Sequence, residues 1–151
     1  MAVYLVQHGL SLPKEKDPEK GLSEKGIEDT TKIAEVAGFY NISVSNIFHS
    51  GKKRAVQTAE IFKDNLKLPD AAQQITGINP LDDVPRFAER INSGSNDMIV
   101  GHLPFMQHLV SYLTTGDIGT RVYRFQNSGI VCMECEAGDW YIKWTLNPNI
   151  D

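Results

Sequence analysis

The sequence lacks long hydrophobic runs and has no excess of positive charge. Its longest apolar stretch, Met1 to Val6, is far shorter than the roughly 20 residues that a membrane-spanning helix needs. It contains 15 Lys and Arg residues against 19 Asp and Glu residues, which gives a formal net charge of −4. Because binding to a phosphate backbone normally requires a basic surface, this balance argues against a nucleic-acid-binding protein. We therefore expect neither a membrane nor a nucleic acid as a partner.

The sequence also lacks the features of an exported, disulfide-rich protein. It has two cysteines, Cys132 and Cys135, and its apolar N-terminus carries neither a basic region nor a cleavage signal. Residues three apart on a strand point to opposite faces, so the two sulfurs should diverge. We interpret them as ordinary strand cysteines rather than a redox or zinc pair, and we expect a cytoplasmic protein.

The pattern of the chain indicates an α/β fold. A length of 151 residues is typical of one domain, so we expect a single domain over residues 1–151. Strand patterns alternate with helix patterns, which predicts a three-layer α/β/α sandwich with a mostly parallel sheet and an antiparallel C-terminal hairpin. The predicted strands cover residues 3–7, 46–50, 97–101, 129–136 and 140–146, and the predicted helices cover residues 23–38, 52–66, 83–92 and 104–113.

The predicted parallel strands end at residues that can carry out chemistry. His8 follows the first strand, His102 follows the third, and the second strand leads into a helix that begins near Arg54. Ligands of open α/β sheets bind beyond the carboxyl ends of the strands, so these side chains should converge on one cleft. Considered alone, either His8 or His102 could equally be a buried structural residue. We interpret the other two histidines, His49 and His108, as structural. The matching positions of His8 and His102 favour a joint site.

Three cations crowd the first turn of the second predicted helix. Lys52, Lys53 and Arg54 lie where the helix dipole is already positive, an arrangement that is unfavourable unless an anion binds there. The alternative for the two lysines is that they extend into water. We predict a phosphate-like ligand with Arg54 among its contacts.

A histidine beside a phosphate site suggests nucleophilic catalysis. A neutral imidazole attacks phosphorus and forms a phosphohistidine that water then hydrolyses. Arg54 and a protonated His102 would stabilise the charge on the transferring oxygens. The sequence has no carboxylate cluster and no glycine-rich phosphate motif, so we expect neither a metal nor an organic cofactor.

Four segments match the motifs of one known family. They are Gln7-His8-Gly9, Leu22 to Gly26, Ser50 to Ala59, and Gly101 to Pro104. From Val3 to about Pro148 the chain resembles the histidine phosphatase superfamily, whose fold is shared with phosphoglycerate mutases, and within it the short SixA-type phosphohistidine phosphatases. The resemblance implies that His8 is the nucleophile and that Arg54 and His102 bind the phosphoryl group.

The chain departs from the family at two places. Gln7 stands where the family has an arginine, so a neutral donor replaces a charged one, and Lys20 could restore part of that charge. The glutamate that acts as general acid in larger members is absent. Asp82 or Asp83 could replace it, although Asp83 is equally well placed to cap a helix.

The resemblance implies a metal-independent phosphatase whose partner is a phosphorylated protein in signal transduction. Weak acid catalysis favours phosphohistidine, because a protonated imidazole leaves as a neutral group whereas an alkoxide needs a proton donor. Two alternatives remain. One is a small-molecule phosphomonoesterase with Asp82 or Asp83 as its acid. The other is a non-catalytic module that binds phosphate or phosphoproteins, in which Gln7 marks the loss of turnover.

Overall fold

The computed structural model describes residues 1–150, and within them six strands form one sheet. The strands are β1 (Val3–Gln7), β2 (Asn46–His49), β3 (Gln73–Gln74), β4 (Asp97–Gly101), β5 (Ile130–Glu136) and β6 (Asp139–Leu146). Their order across the sheet is β3-β2-β4-β1-β5-β6. The first four in that order are parallel, whereas β5 pairs antiparallel with β1 and β6 pairs antiparallel with β5. The predicted α/β fold is confirmed.

Helices cover both faces of this sheet. They are α1 (Glu24–Phe39), α2 (Lys53–Asn65), α3 (Val84–Ala88) and α4 (Phe105–Thr115). Strand β1 is buried along its whole length: Val6 packs with α1 and α2 on one face, and Leu5 packs with α3 and α4 on the other. No helix among residues 1–150 is long and apolar enough to cross a bilayer.

Two elements differ from the sequence prediction. Helix α3 ends at Ala88 instead of continuing to residue 92, because the N–H groups of Arg90 and Ile91 bond to carbonyls only three residues back, which tightens the chain into a turn. The Arg90 guanidinium also donates to the Thr76 carbonyl at 2.7 Å. Strand β3 was not predicted, because two exposed glutamines at a sheet edge carry no hydrophobic pattern.

The two cysteines lie on β5 and form no disulfide. Cys132 is buried in the core between the sheet and α1 and α2, and burial raises the pKa of its thiol to about 11. Cys135 is half-buried near the end of the strand. A protonated, buried thiol is a poor nucleophile and a poor metal ligand, so Cys132 behaves as a core residue.

The first turn of α1 packs against the chain that follows β1. Ser23 caps the helix by accepting a hydrogen bond from the Gly26 N–H at 3.0 Å, and its own N–H donates to the Leu10 carbonyl at 2.9 Å. A Cβ atom on Gly26 would collide with that carbonyl. Only glycine therefore lets α1 approach the segment that carries His8.

We expect Gly26→Ala to destabilise the protein by about 2–3 kcal/mol, although alanine is the better helix former. The added methyl group must displace the backbone at Leu10. Gly38→Ala in the same helix is the matched control, since its Cβ would lie 3.4 Å from the nearest atom, the Asn65 carbonyl oxygen. Urea unfolding should show Gly38→Ala to be neutral or slightly stabilising, and equal effects at the two positions would contradict this account.

Candidate active site

Two histidines meet at the carboxyl ends of neighbouring strands. His8 follows β1 and His102 follows β4, and these strands pair in parallel, with Gln7 opposite Gly101. The two ring centroids are 5.0 Å apart and the rings are inclined by 49°. On the other side of β4, strand β2 leads to Ser50, whose Oγ lies 2.6 Å from His102 Nε2. The predicted convergence is therefore present in the structure.

The hydrogen bonds of His8 define its tautomer. Its Nδ1 lies 2.7 Å from the Gly9 carbonyl oxygen, which can only accept, so Nδ1 carries the proton. The Nε2 atom is then unprotonated, and it accepts a hydrogen bond from Arg54 Nε at 3.3 Å. The side chain thus presents a lone pair on Nε2 beside a guanidinium group.

His8 is neutral at physiological pH. Burial, together with the positive charges of Arg54 and Lys20, lowers the pKa of its ring to about 4, against the opposing effect of the Gly9 hydrogen bond. Only the neutral form of imidazole has the lone pair that nucleophilic attack requires. The environment of His8 therefore favours the reactive form.

His102 is also neutral in the free protein. Its side chain is only 1% exposed, and its Nδ1 atom has no hydrogen-bond partner among residues 1–150. Burial, assisted by His8, Arg54 and Lys52, lowers the pKa of the ring to about 3. The protonated His102 that the sequence analysis assigns to phosphate binding is therefore not present in the free protein. It would form only when a bound anion raises the pKa of the ring.

Arg54 is a partly buried cation without an acidic partner. It lies in the first turn of α2 and forms no ion pair with any of residues 1–150, and burial lowers the pKa of its guanidinium group. Lys53 behaves differently, because its Nζ lies 2.8 Å from an Asp17 carboxylate oxygen. Lys53 therefore does not extend freely into water, as the alternative had it, but pairs with a carboxylate. Lys52 is close enough to lower the pKa of His102.

Residues that the sequence analysis did not single out hold the backbone around His8. Thr58 Oγ1 accepts from the Gly9 N–H at 2.9 Å and donates to the Arg54 carbonyl at 2.7 Å, so it links the two segments of the site. The Asn127 side chain donates to the His8 carbonyl at 2.9 Å. Thr58 falls inside the motif that contains Arg54, whereas no pattern in the sequence indicates Asn127.

Gln7 and Lys20 occupy different positions relative to the histidines. Gln7 is only 9% exposed, its Oε1 atom has no hydrogen-bond partner among residues 1–150, and the residue lines a neighbouring groove. Lys20 lies in the loop before α1, with a left-handed φ of 54°, and is close enough to lower the pKa of His8.

The two candidate general acids make local hydrogen bonds. Asp82 accepts from the Asn79 N–H at 2.8 Å. Asp83 caps α3 by accepting from the Arg86 N–H at 3.1 Å, as its sequence position suggested. Neither carboxylate forms a hydrogen bond to the two histidines.

The chain is similar to known phosphatases in both sequence and structure. No family model matches the chain. It is 24% identical over 155 residues to the phosphohistidine phosphatase SixA of Escherichia coli strain K12, with 98% of this chain and 94% of that protein covered. The solved structure of the protein histidine phosphatase SixA complexed with tungstate aligns at a TM-score of 0.84 and 24% identity, covering 98% and 97% of the two chains. An alpha-ribazole phosphatase from Shigella flexneri aligns at a TM-score of 0.77 and 14% identity, covering 100% and 98%.

These matches confirm the resemblance that the motifs indicated. The fold is the one that SixA and the alpha-ribazole phosphatase share. In sequence the chain is similar to SixA, at 24% identity over 98% of its length.

Because both histidines are neutral in the free protein, binding of a dianion should be coupled to proton uptake. Two negative charges beside His102 raise the pKa of its ring, so affinity should increase as the pH falls below that raised value, towards the pKa of about 3 in the free protein. Sulfate is a suitable probe since its own charge does not change between about pH 5 and 8. We expect its affinity to rise up to about tenfold for each pH unit lowered.

His102→Gln should flatten this pH dependence, whereas the control His108→Gln, in α4 and away from the site, should retain it. Isothermal titration calorimetry measures both the affinity and the number of protons taken up. Sulfate affinity that is independent of pH in the unmodified protein would contradict the assignment of neutral histidines.

Proposed function

We propose that the protein is a phosphatase that hydrolyses phosphohistidine in a signalling protein, through a phosphohistidine intermediate on His8. One observation carries the proposal. His8 Nδ1 is bound to the Gly9 carbonyl, so the neutral ring directs its Nε2 lone pair to the place where Arg54 lies. A nucleophile of fixed tautomer beside a cation without a carboxylate partner suits attack on an anionic phosphoryl group.

The reaction has two displacement steps. His8 Nε2 forms a bond to phosphorus while the phosphorus–nitrogen bond of the substrate breaks, and the electron pair of that bond goes to the departing imidazole. That imidazole, already protonated on its other nitrogen, leaves as a neutral group. Water then attacks the phosphoryl group on His8, the new phosphorus–nitrogen bond breaks, and inorganic phosphate is released with the neutral ring restored.

Positive charge around the phosphoryl oxygens supplies the stabilisation. Arg54 is the principal ligand in this proposal, and His102, protonated when the anion binds, is the second. Lys20 adds a more distant charge, and Gln7 contributes at most a neutral donor. The mechanism requires no metal. Among residues 1–150, no three His, Cys, Asp or Glu side chains are grouped so as to hold one.

The substrate class follows from the leaving group. Asp82 and Asp83 each accept a hydrogen bond from a nearby backbone N–H group, and neither forms a hydrogen bond to His8, His102 or Arg54. An alkoxide leaving group needs a proton donor, whereas imidazole, with a reference pKa of about 6.5, carries its own proton. These observations support a phosphoramidate substrate over a phosphate ester.

A second candidate function is a non-catalytic module that recognises phosphorylated proteins. Gln7 favours it, because this residue supplies no charge and its side chain makes no hydrogen bond to the histidines. The two candidates differ in one observable property, the release of inorganic phosphate.

We expect the protein to release phosphate from a phosphohistidine-bearing protein in the presence of EDTA, and His8→Ala to reduce this rate by at least about 1,000-fold. The loss follows because alanine removes the Nε2 lone pair that attacks phosphorus in this proposal, the lone pair that lies beside Arg54. His108→Ala is the matched control and should retain the full rate. Bound phosphoprotein without phosphate release in the unmodified protein would instead support the binding module.

Gln7→Arg should accelerate hydrolysis of a small phosphoramidate, phosphoimidazole, by about tenfold or more, since a charged donor in a water-poor site stabilises the transition state by roughly 2–4 kcal/mol. Gln7→Met is the control of similar size and should not accelerate it. Steady-state phosphate release measures both. A rate that does not respond to Gln7→Arg would contradict the view that the missing arginine limits turnover.

A further inference from the structure

A groove of about 760 Å³ lies beside the histidine site, and nothing in the proposed reaction uses it. Its walls are residues 121–127 on one side and Leu103 and Gln107 on the other, with Gln7 among the lining residues. We call it the 121–127 groove. Its volume falls within the roughly 300–1,000 Å³ typical of ligand sites.

The groove carries positive charge within an acidic protein. Arg121 and Arg124 are exposed, form no ion pair with any of residues 1–150, and are accompanied by no acidic residue in the lining. Asp117 is the nearest acidic residue along the chain, but its carboxylate accepts from the Gly119 N–H at 2.9 Å and from Thr120 Oγ1 at 3.0 Å. A chain with a formal net charge of −4 therefore presents two unpaired arginines along one groove.

The groove also offers hydrogen-bonding groups that suit a polypeptide. Within residues 1–150, the backbone N–H groups of residues 121–125 donate to no other residue. The Gln7 residue also lines the groove, although its Oε1 atom is itself buried. The unpaired main-chain donors match the carbonyl groups of an extended peptide.

The groove adjoins the segments that carry the two site histidines. Gln7 precedes His8, and Leu103 follows His102, so two lining residues are chain neighbours of the two site histidines. Asn127, at one end of the groove, donates to the His8 carbonyl at 2.9 Å. A polypeptide seated in the groove therefore lies close to the backbone that carries His8 and His102.

From these observations we infer that the 121–127 groove binds an acidic segment of the phosphoprotein substrate, next to its phosphohistidine. The inference rests on the proposed function. It adds a surface that recognises the substrate, and it states that the recognised segment of the substrate is negatively charged. Arg121 and Arg124 contact carboxylates of the substrate, and such charges at the rim of an interface act mainly on association and on its salt dependence.

Two synthetic peptides test the inference. Each carries one phosphohistidine, flanked in one peptide by glutamates and in the other by glutamines. We expect the unmodified protein to show a KM about tenfold lower for the glutamate peptide, with a preference that weakens at high salt and a similar kcat for both. The double variant Arg121→Glu/Arg124→Glu should lose or reverse this preference.

Two control measurements show whether a lost preference comes from the groove itself. The variant Arg86→Glu/Lys67→Glu makes the same charge change at exposed positions outside the groove and should retain the preference. Hydrolysis of phosphoimidazole, which has no flanking chain, should be the same in both double variants. Loss of that activity in Arg121→Glu/Arg124→Glu would mean a damaged site and would overturn the inference.

Equal KM values for the two peptides, or a preference that survives Arg121→Glu/Arg124→Glu, would also overturn it. If the unmodified protein hydrolyses neither peptide, the proposed phosphatase function is contradicted, and the inference about the groove is tested by binding instead. Dissociation constants of the same two peptides for the unmodified protein and the double variants then decide whether the groove selects acidic chains.

Discussion

The hydrogen bond between His8 Nδ1 and the Gly9 carbonyl is the interaction on which the rest of the site depends. It places the proton of the neutral ring on Nδ1 and leaves the lone pair on Nε2. The peptide that supplies this carbonyl is itself fixed, since the Gly9 N–H donates to Thr58 Oγ1 at 2.9 Å. A Cβ on Gly9 would lie 2.7 Å from Thr30 Oγ1, so α1 closes against the other side of the same peptide. Both helices on this face of the sheet therefore determine the tautomer of one histidine.

Without a ligand, the site contains buried polar and charged groups that lack partners. Arg54 is partly buried without a carboxylate partner, and His102 has an unpaired Nδ1 atom in a position that is 1% exposed. Both features cost stability in the absence of a ligand, because buried polar groups and charges are unfavourable without partners. An oxyanion would satisfy them together, which is why these residues favour a phosphoryl group over a neutral ligand.

Sequence reasoning predicted the parts of this site that depend on strand order and local pattern. The placement of His8 and His102 follows from the geometry of parallel strands, whose carboxyl ends meet at one edge of the sheet. Contacts between distant segments could not be predicted. The pairing of Lys53 with Asp17 depends on how the loop before α1 folds back, and the bond from Asn127 to the His8 carbonyl joins residues 119 apart in the chain. The neutral state of His102 depends on burial, which only the packed structure determines.

The position of the phosphoryl group in the reaction intermediate tests the central claim most directly. Rapid quenching at alkaline pH followed by mass spectrometry identifies the modified residue, and phosphorus–nitrogen NMR coupling identifies the nitrogen. The account predicts a phosphoryl group on His8 and on its Nε2 atom, because Nδ1 is occupied by the bond to the Gly9 carbonyl. A phosphoryl group on His8 Nδ1, or on His102, would contradict it.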